Sequence, residues 1–127
     1  MNKYLFIGER QSHQAKKINA TWQNGKLAAK QLHDALRALN IEPAAQRYVN
    51  LWSRPGTGPI KDYVDTSALV YIAESIAMGY TVIGMGQLVS KELERRGIAH
   101  LLIVHPAARG SIRRKDLYAA HVGSVLI

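Results

Sequence analysis

Four side chains in this sequence have types suited to chemistry on a nucleobase: Glu9, Trp22, Asn50 and His105. A carboxylate such as Glu9 can orient or activate a water molecule. The amide of Asn50 carries both a donor and an acceptor, so it can read a base edge. His105 can donate a hydrogen bond to negative charge building on an oxygen. Trp22 offers a flat apolar surface on which a base can stack. Arg113, Arg114 and Lys115 follow shortly after the histidine and can grip phosphates. Each residue also has an ordinary structural reading. Glu9 alone is an exposed loop carboxylate, Asn50 a backbone cap, His105 a satisfied histidine at a strand end, and Trp22 a loop anchor on the core. The basic run alone is the solvated start of a helix.

What separates the two readings is where the chain places these groups. "YLFIG" at 4–8 is a short apolar run that reads as a buried strand. Residues 9–25 read as a polar loop closed by Asn24–Gly25. From Lys26 the pattern turns helical, with Leu27, Leu32, Leu36 and Leu39 on one stripe together with Ala28 and Ala35. "RYVNLW" at 47–52 is a second strand, and "SRPGTGP" at 53–59 a loop. Residues 66–78 form a second helix with Leu69, Ile72 and Ile76 on one side. "TVIGMG" at 81–86 is a third strand, and 87–97 a third helix with Leu88, Val89 and Leu93 inward. "HLLIVH" at 100–105 is the fourth strand. A last helix from about Arg113 to Leu126 turns Tyr118, Val122 and Val125 to its apolar side.

Apolar strands alternating with helices imply a parallel sheet covered on both faces. The expected fold is α/β, three-layered α/β/α with a four-stranded parallel sheet, in a single domain over 1–127. Ligands bind such sheets where the carboxyl ends of the strands meet the loops. The polar residues expected there are Glu9, Asn50, Gln87 and His105.

Composition narrows the partners. The 127 residues contain 17 Lys and Arg against 9 Asp and Glu, a net charge of +8, which favours a polyanionic partner. The chain has no cysteine. Thiol catalysis, disulfides, zinc–thiolate sites and cysteine-held iron–sulfur clusters are therefore excluded. The opening "MNKYLFIGER" has only five apolar residues in a row, too short for a signal sequence, so an intracellular, cytoplasmic setting is expected. Gly84 and Gly86 form a Gly-x-Gly pair, but no third glycine follows and the pair closes the third strand rather than the first. There is no Walker sequence, no Gly-x-Ser-x-Gly and no metal-spaced histidine pair.

Four segments, taken in order, resemble the motifs of the uracil-DNA glycosylase superfamily, closest to the branch whose first motif reads Gly-Glu-Ala-Pro-Gly. They are "GER" at Gly8–Arg10, "YVNLWSRP" at 48–55, "TVIGMGQLVSKEL" at 81–93, and "LLIVHPAARG" at 101–110. "NATWQNGKLAAKQL" at 19–32 occupies the place of the family's stacking loop and helix. The resemblance implies hydrolysis of the N-glycosidic bond of a damaged or unusual base, uracil first, flipped out of DNA. It implies that Glu9 positions water and His105 supports the leaving base. Asn50, Trp22 and Gly8 would hold the base. Arg10, Arg109, Arg113, Arg114 and Lys115 would contact the nucleic acid, with Arg109 as a wedge. It implies a monomer acting on DNA without metal or other cofactor. Two other readings stay open: a binding module on the same fold that cuts nothing, and an enzyme acting on a free nucleotide or modified base.

Overall fold

The computed structural model describes residues 3–56, 60 and 63–127. It is an α/β structure built on one four-stranded, all-parallel sheet. The strands are β1 (Tyr4–Gly8), β2 (Arg47–Asn50), β3 (Thr81–Met85) and β4 (Leu101–Ile103), in spatial order β2-β1-β3-β4. Five α-helices connect or flank them: α1 (His13–Lys17), α2 (Ala28–Ala38), α3 (Thr66–Ala77), α4 (Gln87–Arg95) and α5 (Lys115–Leu126).

The two-residue period of a strand sorts the core. Tyr4 and Phe6 of β1 point to one face, where they meet Leu32 and Leu36 of α2 and Tyr118 and Val122 of α5. Leu5 and Ile7 point to the other face, against Ile72 of α3 and Val89 and Leu93 of α4. Burial on both faces explains why β1 reads as an unbroken apolar run rather than an alternating one. Gly84 lets α4 close on the sheet: a side-chain carbon there would lie 3.3 Å from both Leu93 Cδ1 and His100 Cδ2. α2 leaves β1 over one face and α4 leaves β3 over the other. Neighbouring strands thus send their connections apart, which opens a crevice at their carboxyl ends.

Several boundaries differ from the sequence reading. The loop at 9–25 contains α1, opened by Ser12, whose side chain accepts from the Ala15 N–H. Leu27 is not on the buried stripe of α2. It caps the helix from a left-handed conformation (φ 54°) and is 47% exposed, while Ala29 and His33 turn inward. Ile76 and Leu88 are likewise exposed, and Ser75 and Ser90 take the inward positions. The expected last helix starts at Lys115, after a short 3-10 turn over Ser111–Arg113. Of the loop expected at 53–59, residues 57–59 lie outside the described residues.

The fourth strand ends at Ile103, two residues before His105. α5 takes over where the sheet stops. The Val104 N–H donates to His121 Nε2 at 2.9 Å, and the Tyr118 hydroxyl donates to the Val104 carbonyl at 2.7 Å. Both backbone groups of the residue before the histidine are therefore held by side chains of one helix. Tyr118 is 1% exposed, so its hydroxyl has no water to replace this partner. Tyr118→Phe keeps the ring and removes the donor. It is expected to lower unfolding free energy by about 1–2 kcal/mol, measured by urea denaturation.

Candidate functional site

β1 and β2 run in register so that Gly8 sits beside Asn50. Both lie on the α2 and α5 side, in phase with Phe6 and Tyr48. Past β1 the chain stays beside the continuation of β2, where the Leu51 and Trp52 N–H groups donate to the Gly8 and Glu9 carbonyls at 3.0 and 3.1 Å. Just past this pairing, Arg10 enters the lining of the cavity and Glu9 does not, although their side chains lie beside each other.

A cavity of about 150 Å³ opens at this end of the sheet. Arg10, Trp22, Asn50 and His105 all line it, with Gln11 and Lys26 beside them. Trp22 is fixed at two points. Its indole N–H donates to Asn50 Oδ1 at 2.7 Å. Its carbonyl accepts from the Nε2–H of the buried His33, also at 2.7 Å. Asn24 ties the loop together by accepting from the Thr21 and Lys26 N–H groups and donating to the Asn19 carbonyl. The Trp22 ring then meets His105 edge-on, with centroids 5.8 Å apart.

Gly8 is the floor of this arrangement. A side-chain carbon added there would stand 2.5 Å from Asn50 Oδ1 and 2.6 Å from Trp22 Nε1.

His105 begins a turn in which the Ala108 N–H donates to its carbonyl at 2.9 Å. Pro106 presets the backbone angle at the second position of that turn. His105 Nδ1 accepts from the Ala107 N–H at 3.0 Å, so in the neutral ring the proton sits on Nε2. Burial holds the His105 pKa below the ordinary histidine value, which keeps the ring neutral near pH 7. The site histidine is therefore a neutral N–H donor.

The remaining residues divide. Arg113 and Lys115 line a neighbouring groove of about 440 Å³, with Lys30, Gln31 and Asp34. That groove shares Leu27, Ala28 and Ala107 with the cavity wall. Lys115 Nζ stands 3.1 Å from the Asp34 carboxylate, and Lys30 Nζ 2.8 Å. Arg114 pairs with Asp116 and, like the exposed Arg109, lies outside both linings. Gln87 opens α4 on the surface and is not at the cavity. Glu9 is outside the lining too; its carboxylate stands 3.6 Å from Arg10 Nε. Among the described residues no acidic side chain lines the cavity, and Arg10 and Lys26 are its charged members.

Sequence reasoning passed over Lys26, His33, Tyr118 and His121. Lys26 had a signal, since it follows the Asn24–Gly25 turn at the mouth of the predicted ligand edge. Tyr118 had half of one, as a core position of α5. The partners of His33 and His121 lie 11 and 17 residues away in sequence, and only the fold brings them together.

No known protein-family model matches the chain, and no curated protein is recognisably similar to it. Among the described residues there is no cluster of three or more metal-ligating side chains, and no helix long and apolar enough to cross a membrane.

Two measurements test this geometry. Gly8→Ala is expected to cost about 1–3 kcal/mol of stability through overpacking. It should also break the Trp22–Asn50 hydrogen bond, seen as a changed indole N–H resonance in NMR spectra. The second concerns pH. Burial lowers the pKa of both His33 and His105. The unfolded chain then binds protons first as pH falls through about 6.5. Stability conferred by the neutral rings is present above that value and lost below it. Melting temperature should fall between pH 7 and pH 5. Replacing either histidine with Gln should flatten that slope.

Proposed function

We propose that the protein is a DNA N-glycosylase that hydrolyses the bond between deoxyribose and a flipped-out base, uracil first. The observation that carries this reading is a ring-sized cavity walled by Trp22, Asn50 and a neutral His105, bordered by a basic groove. A cavity of about 150 Å³ suits one small aromatic ring. Whole drug-sized ligands need about 300–1,000 Å³, so a nucleotide would leave its sugar and phosphates outside. The adjoining groove offers Lys30, Arg113 and Lys115 to those phosphates.

In the reaction, the electron pair of the N-glycosidic bond leaves with the base. His105 Nε2–H donates to the base oxygen on which that charge collects and keeps its own proton. Water adds to the cationic C1′ carbon and releases a proton. Glu9, whose carboxylate stands beside the cavity-lining Arg10, supplies negative charge to the sugar and an acceptor for that proton. Arg10 and the exposed Arg109 meet the strand at the mouth of the cavity.

A second reading, binding without cleavage, draws support from one specific observation. Glu9 is not part of the cavity lining, and its carboxylate lies beside Arg10. One assay separates the two. Single-stranded and duplex oligonucleotides carrying uracil, hypoxanthine or an oxidised base are incubated with the protein and probed for abasic sites. Glycosylase action is expected on uracil, with His105→Ala slower by about 10²–10³-fold. Absence of abasic sites, with DNA binding equal in wild type, His105→Ala and Glu9→Gln, would establish the binding reading instead.

A further inference from the structure

We propose that Trp22 sets base specificity by fixing the Asn50 amide, rather than serving as a stacking platform. The inference rests on the reading that the cavity takes a base, and not on whether the base is then cut.

An asparagine amide presents an oxygen acceptor on one side and an NH₂ donor on the other. Left free, it can turn over and read either a carbonyl or an amino group. In this cavity it is not free. The Trp22 N–H is a donor only, so the atom facing it at 2.7 Å must be the oxygen. Turning the amide over would set two donors against each other. That oxygen sits in the space left by the missing side chain of Gly8, where a carbon would stand 2.5 Å from it. Trp22 cannot easily yield, because its carbonyl is anchored by buried His33 and its ring edge abuts His105.

The ligand therefore meets the Nδ2 donor of Asn50. The second directional donor is His105 Nε2–H, whose tautomer is fixed by the Ala107 N–H. Asn50 and His105 thus present a pair of fixed donors that selects a ring bearing carbonyl oxygens, while Gln11, whose Nε2 donates to the Ala20 carbonyl, keeps its oxygen as an acceptor in the same lining. An exocyclic amino group in the same place leaves two donors facing each other in a partly dry site, which costs about tenfold or more in affinity. The preferred ligand is a base with a keto group on its Watson–Crick edge, and Trp22 is the positioning residue that enforces the choice.

The test is binding of uridine and cytidine, followed by NMR titration of wild type and Trp22→Phe. Phe keeps an aromatic ring and lacks the N–H. Wild type should bind uridine about tenfold or more tightly than cytidine. In Trp22→Phe the ratio should fall to within about twofold, mainly through gained cytidine binding. A thermal melt reports whether the variant is folded. Should it not fold, replacing Trp22 with 3-benzothienylalanine, in which sulfur stands for the N–H, keeps the shape and asks the same question. The wild-type ratio persisting in a folded variant without the N–H overturns the proposal. So does a wild type that binds neither nucleoside or fails to tell them apart. The abasic-site assay is read separately. Uracil excision without nucleoside discrimination sinks this inference alone, and discrimination without excision sinks cleavage alone.

Discussion

The site depends on the absence of a side chain at Gly8. Two polar groups from distant parts of the sequence, Asn50 Oδ1 and Trp22 Nε1, occupy the volume that any other residue would fill. Their hydrogen bond joins the end of β2 to the loop before α2 directly above the end of β1. Without that bond, Asn50 would be an amide of undefined orientation, and Trp22 would be held by its carbonyl at His33 and its ring contact with His105 alone. The glycine is not needed for backbone freedom here. It is needed because parallel pairing sets Asn50 beside it in register, and the cavity is one side chain too narrow for both.

His105 is organised by a different principle. Asn50 stands on a strand and inherits the rigidity of the sheet, whereas His105 stands two residues beyond the end of an edge strand. Its position comes from the hold of Tyr118 and His121 on Val104, and its tautomer from the turn that Pro106 begins. One wall of the cavity is thus built from sheet hydrogen bonds and the facing wall from side chains of a helix. The groove next door uses a third device. Asp34 sits among Lys30, Arg37 and Lys115, and these ion pairs hold its carboxyl below the usual carboxylate range, led by the hydrogen bond from Lys30. An entering phosphate would meet lysines already turned towards a common point and would compete with Asp34 for them.

Much of the fold was legible because burial on both faces leaves a plain signature. The apolar runs at 4–8, 81–86 and 100–105 contain the strands Tyr4–Gly8, Thr81–Met85 and Leu101–Ile103, in the expected order, and the Leu32–Leu36 stripe is the buried face of α2. The errors cluster where local pattern competes with tertiary placement. α1 has no buried residue, so it left no apolar period to detect. Leu27, Ile76 and Leu88 look like core leucines and isoleucines yet lie on the surface, while small serines take the inward places where helices approach the sheet closely. The site was legible in its membership but not in its aim. Arg10, Trp22, Asn50 and His105 do converge. Glu9 does not line the same cavity: the strand ends at Gly8, and beyond it the Glu9 carboxylate is drawn to Arg10, a pairing that no motif in the sequence announces.

The hold of α5 on Val104 links two regions that share no ligand atom. A helix at the margin of a domain opens locally more often than the whole domain unfolds. Each opening of α5 releases Val104 and, one residue on, the donor that faces the cavity. The His105 wall of the pocket is thus tied to the docking of Tyr118 and Val122 in the core. The coupling runs both ways. A molecule held by His105 would favour the docked helix, so that filling the pocket and seating α5 would be one equilibrium viewed from two ends.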